Sequence, residues 1–263
     1  MKVEVQKNNN SNINLIFLAG GPGLSSISFK PLSSLNEKYT LHFIDPMGTT
    51  CDLEDEPTYG NLLLEIEEYI KDIENIVLCG HSFGGIQAID IASRNKSNIK
   101  GLIGIGAPVS KNAFEILRSN FSNGLSEKHE EISKKLSSTP SDDIYKEWFY
   151  IYRNFYFNPE YSEKNINVIT EDQVCVKSYS TAISESSQKE ECLKTLGKLN
   201  FPKLLITGDL DQVLPPQSAR HEAEIGDLDL KIIKNGGHFV HYECPAETIS
   251  IIDEFLSNLG GKI

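Results

Sequence analysis

The stretch "NIVLCGHSFGG", residues 75–85, decides how this chain is read. An apolar run from Ile76 to Cys79 leads into Gly80-His81-Ser82-Phe83-Gly84-Gly85, and "IQAIDIASRN" (86–95) then continues with helical character. A strand that turns directly into a helix holds the residue at the corner in strained backbone geometry and crowds the side chains around it. Glycines two before and two after Ser82 relieve that crowding. The serine then points into the crevice beyond the carboxyl end of the sheet. The Phe83 N–H, at the start of the helix, faces the same space and can stabilise an oxyanion. The competing explanation is a glycine-rich helix N-terminus that cradles a phosphate.

A serine hydroxyl is a weak nucleophile without a base, and the base needs an acid to orient it. Downstream, "KLLITGDLDQVLPP" ends a strand in a turn that carries Asp209 and Asp211, and "KNGGHFVHYECPAE" presents His238 on the loop after the last strand. The chain order Ser82, Asp, His238 is the order in which such a plan supplies nucleophile, acid and base. Asp211 is preferred as the acid. Asp209 directly follows the strand glycine and suits a turn or capping role, and it remains the secondary candidate. His241 competes with His238. His42 and His221 fall inside strand and helix patterns and read as structural, and His81 is expected to point away from the nucleophile. A second cluster, Gly20-Gly21-Pro22-Gly23, follows the first buried strand and bends the backbone back toward the crevice. Gly21 is the preferred second oxyanion donor and Gly20 the alternative, and a plain Pro-Gly turn is the competing explanation.

Around these motifs, short apolar runs alternate with amphipathic segments, the pattern of a mostly parallel sheet flanked by helices. "NLIFLAG", "TLHFID", "NIVLCG", "KGLIGIG" and "KLLITG" are near-continuous apolar strands, "KVEVQ" alternates like an edge strand, and "LKIIK" adds a further one. "TYGNLLLEIEEYIKDIEN" puts Leu62, Ile66, Tyr69 and Ile73 on one helical face, and "PAETISIIDEFLSNLGG" does the same with Ile249, Ile252, Leu256 and Leu259. Strand character vanishes over 109–199, a polar stretch holding the aromatic knot "YKEWFYIYRNFYF". The expected organisation is therefore a core of residues 1–108 and 200–263 split by a helical insertion at 109–199. Aromatics at that density build a small core, and some are expected to roof a pocket.

Composition narrows the function classes. The chain has 263 residues, 39% of them hydrophobic, which suits one folded unit of this kind. A net charge of -12 disfavours a nucleic-acid partner, because phosphate backbones repel it. The five cysteines, Cys51, Cys79, Cys175, Cys192 and Cys244, form no Cys-x-x-Cys pair and are expected to be reduced and mostly buried. "MKVEVQKNNNSN" lacks the apolar core of a signal peptide, and no run approaches the ~20 apolar residues of a membrane span. A cytoplasmic protein with a small-molecule or short-peptide substrate and no membrane partner is expected; the oligomeric state stays open.

Taken together, these elements resemble the α/β-hydrolase superfamily over essentially the whole chain. "GGPG" followed by "FIDPMGTT" looks like the proline iminopeptidase branch. The resemblance maps the acid to Asp211 and the base to His238, and implies a helical cap over 109–199. Ala19 stands where that branch carries histidine, "DPMG" replaces its Asp-Gln turn, and Gly-His-Ser-Phe-Gly is equally at home in esterases and thioesterases. The expected function is a serine hydrolase forming an acyl-enzyme from a small ester, thioester, lactone or amide, with no metal and no organic cofactor. One alternative is a proline iminopeptidase-type aminopeptidase, for which Glu147, Glu171 or Glu185 could bind the substrate ammonium. Another is a non-catalytic binding protein on the same fold.

Overall fold

A computed structural model describes residues 1–260 apart from 95, 124 and 188. Seven strands form one sheet in the order β1-β3-β2-β4-β5-β6-β7. They are β1 (Lys2–Gln6), β2 (Asn14–Leu18), β3 (Thr40–Asp45), β4 (Ile76–His81), β5 (Ile99–Ile105), β6 (Lys203–Gly208) and β7 (Asp229–Ile233). Only β1 runs antiparallel, along β3, and all other pairs are parallel. The apolar runs form these strands because both sheet faces are covered. Every residue of β4 and of β6 is buried.

On one face, α1 (Tyr59–Ile70) and α2 (Phe83–Ser93) pack with Ile16, Leu18, Leu78 and Leu102 in one apolar cluster. Helix α2 is buried from Phe83 to Ala92. On the other face, Phe17, Phe43, Ile103 and Ile206 meet a 3-10 segment (Ser26–Glu37) and the C-terminal helix Pro245–Gly260. That segment follows a Ser25 N-cap and contains Pro31. The proline and the absence of a 3.6-residue stripe hid it from sequence periodicity.

Between β5 and β6 the described residues form helices only: α3 (Lys111–Ser122), α4 (Glu127–Ser138), α5 (Asp142–Ile151), three single turns α6 (Arg153–Tyr156), α7 (Ser162–Asn165) and α8 (Asn167–Thr170), then α9 (Val176–Ser186) and α10 (Glu190–Leu196). α4 and α5 share a separate aromatic cluster built on Tyr145, Trp148, Phe149 and Tyr152, which Leu24 and Phe239 join from the loops of the sheet. Leu193 and Leu196 of α10 instead belong to the cluster around α2. The chain returns through α11 (Pro216–Gly226), a short turn α12 (Val240–Glu243) and α13 (Pro245–Gly260). No helix among the described residues is long and apolar enough to cross a membrane. All five cysteines are free; Cys79 and Cys175 are buried and the other three partly so.

Candidate active site

The loops that leave β2, β4, β5, β6 and β7 converge at the carboxyl end of the sheet, where parallel α/β sheets place their ligands. Ser82 sits between β4 and α2 with φ 51° and ψ −116°, a conformation that costs a non-glycine residue free energy. Its N–H donates to the Ile105 carbonyl at 2.8 Å and its carbonyl accepts from Ile86 N–H at 3.1 Å, so the corner is held from both sides. The corner also needs bare backbone. A Cβ on Gly84 would lie 2.2 Å from the Leu18 carbonyl oxygen, and one on Gly80 would lie 2.2 Å from that of Gly84.

Asp211, in the turn after β6, is 2% exposed. Its Oδ1 accepts from Val213 and Leu214 N–H at 2.8 and 2.9 Å, and the Thr207 hydroxyl donates to Oδ2 at 3.2 Å. His238 Nδ1 lies 3.2 Å from Oδ1 and 3.1 Å from Oδ2. A carboxylate fixed this way sets the imidazole tautomer with the proton on Nδ1 and leaves Nε2 as the available base. The histidine loop is fixed as well. His238 N–H donates to the Tyr156 carbonyl at 2.8 Å, and the half-buried Glu243 carboxylate accepts from Gly237 N–H and Asn158 N–H, each at 2.7 Å. Gly106, at the end of β5 with φ +54°, has no room for a side chain. A Cβ there would come within 2.9 Å of His238 Nδ1 and 3.1 Å of Asp211 Oδ2.

Ser82, His238, Gly21 and Phe83 all line one cavity of about 460 Å³. Phe83 is the first residue of α2, so its N–H has no partner within the helix. Gly20 abuts His81 and opens onto a different, small recess. Asp209 is exposed and accepts from Asn235 N–H at 2.7 Å, the turn role expected of it. His241 is buried beneath the loop with Nε2 3.1 Å from the Ser28 hydroxyl, and His42 is held by Tyr69 and Asn14. His81 is among the residues that line the cavity; its ring lies 4.7 Å from that of His238, and its Nε2 donates to the His238 carbonyl oxygen at 3.1 Å. Burial, reinforced by the neighbouring His241 and His238, holds His81 far below the ordinary imidazole range, so it is a neutral support under the loop.

The rest of the lining comes partly from the aromatic knot and partly from residues that the sequence analysis did not single out. Leu24, Phe114, Trp148, Tyr156, Tyr179 and Val213 make the walls largely apolar. The aromatic knot was legible as such, and Tyr145, Trp148, Phe149 and Tyr156 of it reach the cavity. The contribution of α3 could have been found in "AFEILRSNF", where Phe114, Leu117 and Phe121 recur on one helical face. None of the described lining residues carries a carboxylate. Glu147 pairs with Lys135 at 2.9 Å on the surface, Glu171 borders a separate groove, and Glu185 is exposed.

Residues 15–251 match the sequence profile of the alpha/beta hydrolase family, and the chain belongs to that family. It is 25% identical to proline iminopeptidase of Saccharolobus solfataricus, over 95% of this chain and 86% of that protein. It is 24% identical to a putative esterase/lipase of Mycoplasma pneumoniae, over 94% of this chain and 90% of that protein. The fold also superimposes on a thermophilic esterase from Thermogutta terrifontis with a TM-score of 0.76 and 16% identity, over 98% of this chain and 93% of that one. The resemblance to the proline iminopeptidase-like branch is thus borne out, within a family that also holds esterases.

Proposed function

We propose that the protein is a serine hydrolase that cleaves a small ester, thioester, lactone or amide through an acyl-enzyme. The observation that carries this reading is the His238–Asp211 pair at 3.1 Å, opening on the same cavity as a backbone-strained Ser82. Ser82 Oγ attacks the substrate carbonyl carbon while His238 Nε2 takes the hydroxyl proton, and Asp211 stabilises the imidazolium that forms. The N–H groups of Gly21 and Phe83 stabilise the tetrahedral oxyanion, a contribution on the order of 3 kcal/mol per donor. His238 returns the proton to the leaving group as the bond to it breaks. A water then attacks the acyl-enzyme by the same route and regenerates the Ser82 hydroxyl. The helices over 109–199 act as a cap that supplies the apolar walls.

The iminopeptidase alternative draws support from the 25% identity to a protein of that name. It requires a carboxylate to hold a substrate ammonium, and the described residues of the cavity walls offer none, so ester-type substrates lead. The test is the initial rate on prolyl p-nitroanilide against a short-chain p-nitrophenyl ester, with Ser82→Ala as the blank. Ester cleavage that depends on Ser82, with the anilide left intact, is expected. Rapid cleavage of the anilide would overturn the substrate choice. No Ser82-dependent rate on any acyl substrate, together with no covalent labelling of Ser82 by a fluorophosphonate, would favour a binding protein without turnover.

A further inference from the structure

We infer that Arg118 is a specificity residue of the cavity, and that the substrate carries an anionic group, a carboxylate, away from its scissile carbonyl. The inference rests on the hydrolase reading above and narrows its substrate class.

Among the described residues that line the cavity, Arg118 is the single lysine or arginine, in a protein whose net charge is -12. It pairs with no carboxylate among the described residues. Its Nε donates to the Phe114 carbonyl at 3.1 Å, which folds the stem back along α3. Among the described residues neither terminal nitrogen has a hydrogen-bond partner, and a guanidinium meets a carboxylate through two such N–H groups side by side.

The helix that carries it is fixed at both ends. Glu222 is 1% exposed and accepts from Val109 and Ser110 N–H, at 2.9 and 2.8 Å, just before α3 begins. Near its other end, the Asn120 side chain donates to the carbonyl of Gln212 at 2.9 Å, the residue next to the candidate acid. Phe114, Leu117 and Phe121 from the same helix face the cavity, so an acyl or leaving group lying along them runs past the guanidinium. Arg118 is exposed to water beside these apolar walls, so its charge is open to an incoming anion, whereas the acidic surface elsewhere repels anions. One cation in such a setting discriminates.

The test compares ester pairs matched in size that differ only in charge. For the acyl side, p-nitrophenyl monoesters of adipic, pimelic and suberic acid are set against p-nitrophenyl hexanoate, heptanoate and octanoate. For the leaving group, 3-acetoxybenzoate is set against its methyl ester. The readout is the ratio of kcat/KM, anionic over neutral, after subtraction of the Ser82→Ala blank. We expect a ratio above one in at least one series, a fall of about tenfold in Arg118→Gln, and partial recovery in Arg118→Lys. The melting temperature of each variant verifies that it is folded. Neutral esters cleaved with no preference for the anion in either series would overturn the inference while leaving the hydrolase reading intact. So would a ratio that Arg118→Gln does not change. An absence of Ser82-dependent cleavage in every pair would overturn both.

Discussion

At the scale of single residues, Asp211 is the most constrained group of the site. Its carboxylate takes two backbone N–H groups and a threonine hydroxyl besides His238, so it can neither turn away nor be replaced by water. Asp211→Asn keeps the acceptor oxygen toward the backbone, and the fold is expected to survive. The amide N–H₂ then faces His238 Nδ1, which must become the acceptor. The proton moves to Nε2 and the base is lost. We expect kcat at neutral pH to fall by about 10³- to 10⁴-fold with little change in melting temperature. Steady-state rates and a thermal melt on the same preparation check this, and a loss below tenfold would remove Asp211 from the role of acid. Asp209→Asn, on the exposed turn, is expected to keep most of the activity.

At the scale of elements, the start of α3 shows what a buried carboxylate outside the cavity does for the helix that lines it. Glu222 is the acceptor for two buried N–H groups, and burial raises its carboxyl above the usual carboxylate range. Glu222→Gln keeps an acceptor and is expected to cost little. Glu222→Leu strands both donors and should destabilise the protein by roughly 2–5 kcal/mol, read from urea unfolding midpoints. Equal stability of the two variants would refute this account. The same elements mark what the sequence made legible. β4 and β6 were readable because strands buried on both faces are written as apolar runs. Ser82, Asp211 and His238 were readable because each follows a strand in a short loop of recognisable composition. Phe114, Arg118 and Tyr179 were not, since their shared wall exists only once α3 and α9 fold back over the sheet. Gly106 and His81 escaped for a related reason. Their roles are set by a loop that lies more than a hundred residues further along the chain.

For the whole molecule, three histidines are buried in neutral form. Burial holds His42 down at about 4, His241 at about 3, and His81 well below the ordinary 6.5. Below pH 6.5 the unfolded chain takes up a proton at each, while the folded protein does not. Stability is therefore full above about pH 6.5 and falls as the pH drops, by up to ~1.4 kcal/mol per pH unit for each histidine. Glu222 and Glu243, whose carboxyls are raised by burial, act in the opposite sense as the pH nears the ordinary carboxylate range. The effect is thus clearest between about pH 6.5 and about pH 5. Urea midpoints are expected to fall across that window, with a shallower slope in His241→Gln. A flat profile from pH 7.5 to 5.5 would show that these histidines are solvated in the folded state.

The jump from β5 to β6 has a consequence for biosynthesis. β5 ends at Ile105 and its neighbour β6 begins at Lys203, so residues 106–202 leave the ribosome before the ladder can continue. During that interval the nascent chain carries Ser82 while the far side of β5 stays open, with neither Asp211 nor His238 yet made. A half-built sheet with a bare edge adheres to other chains. Translation order therefore separates Ser82 in time from Asp211 and His238, and leaves a strand edge open while residues 106–202 emerge.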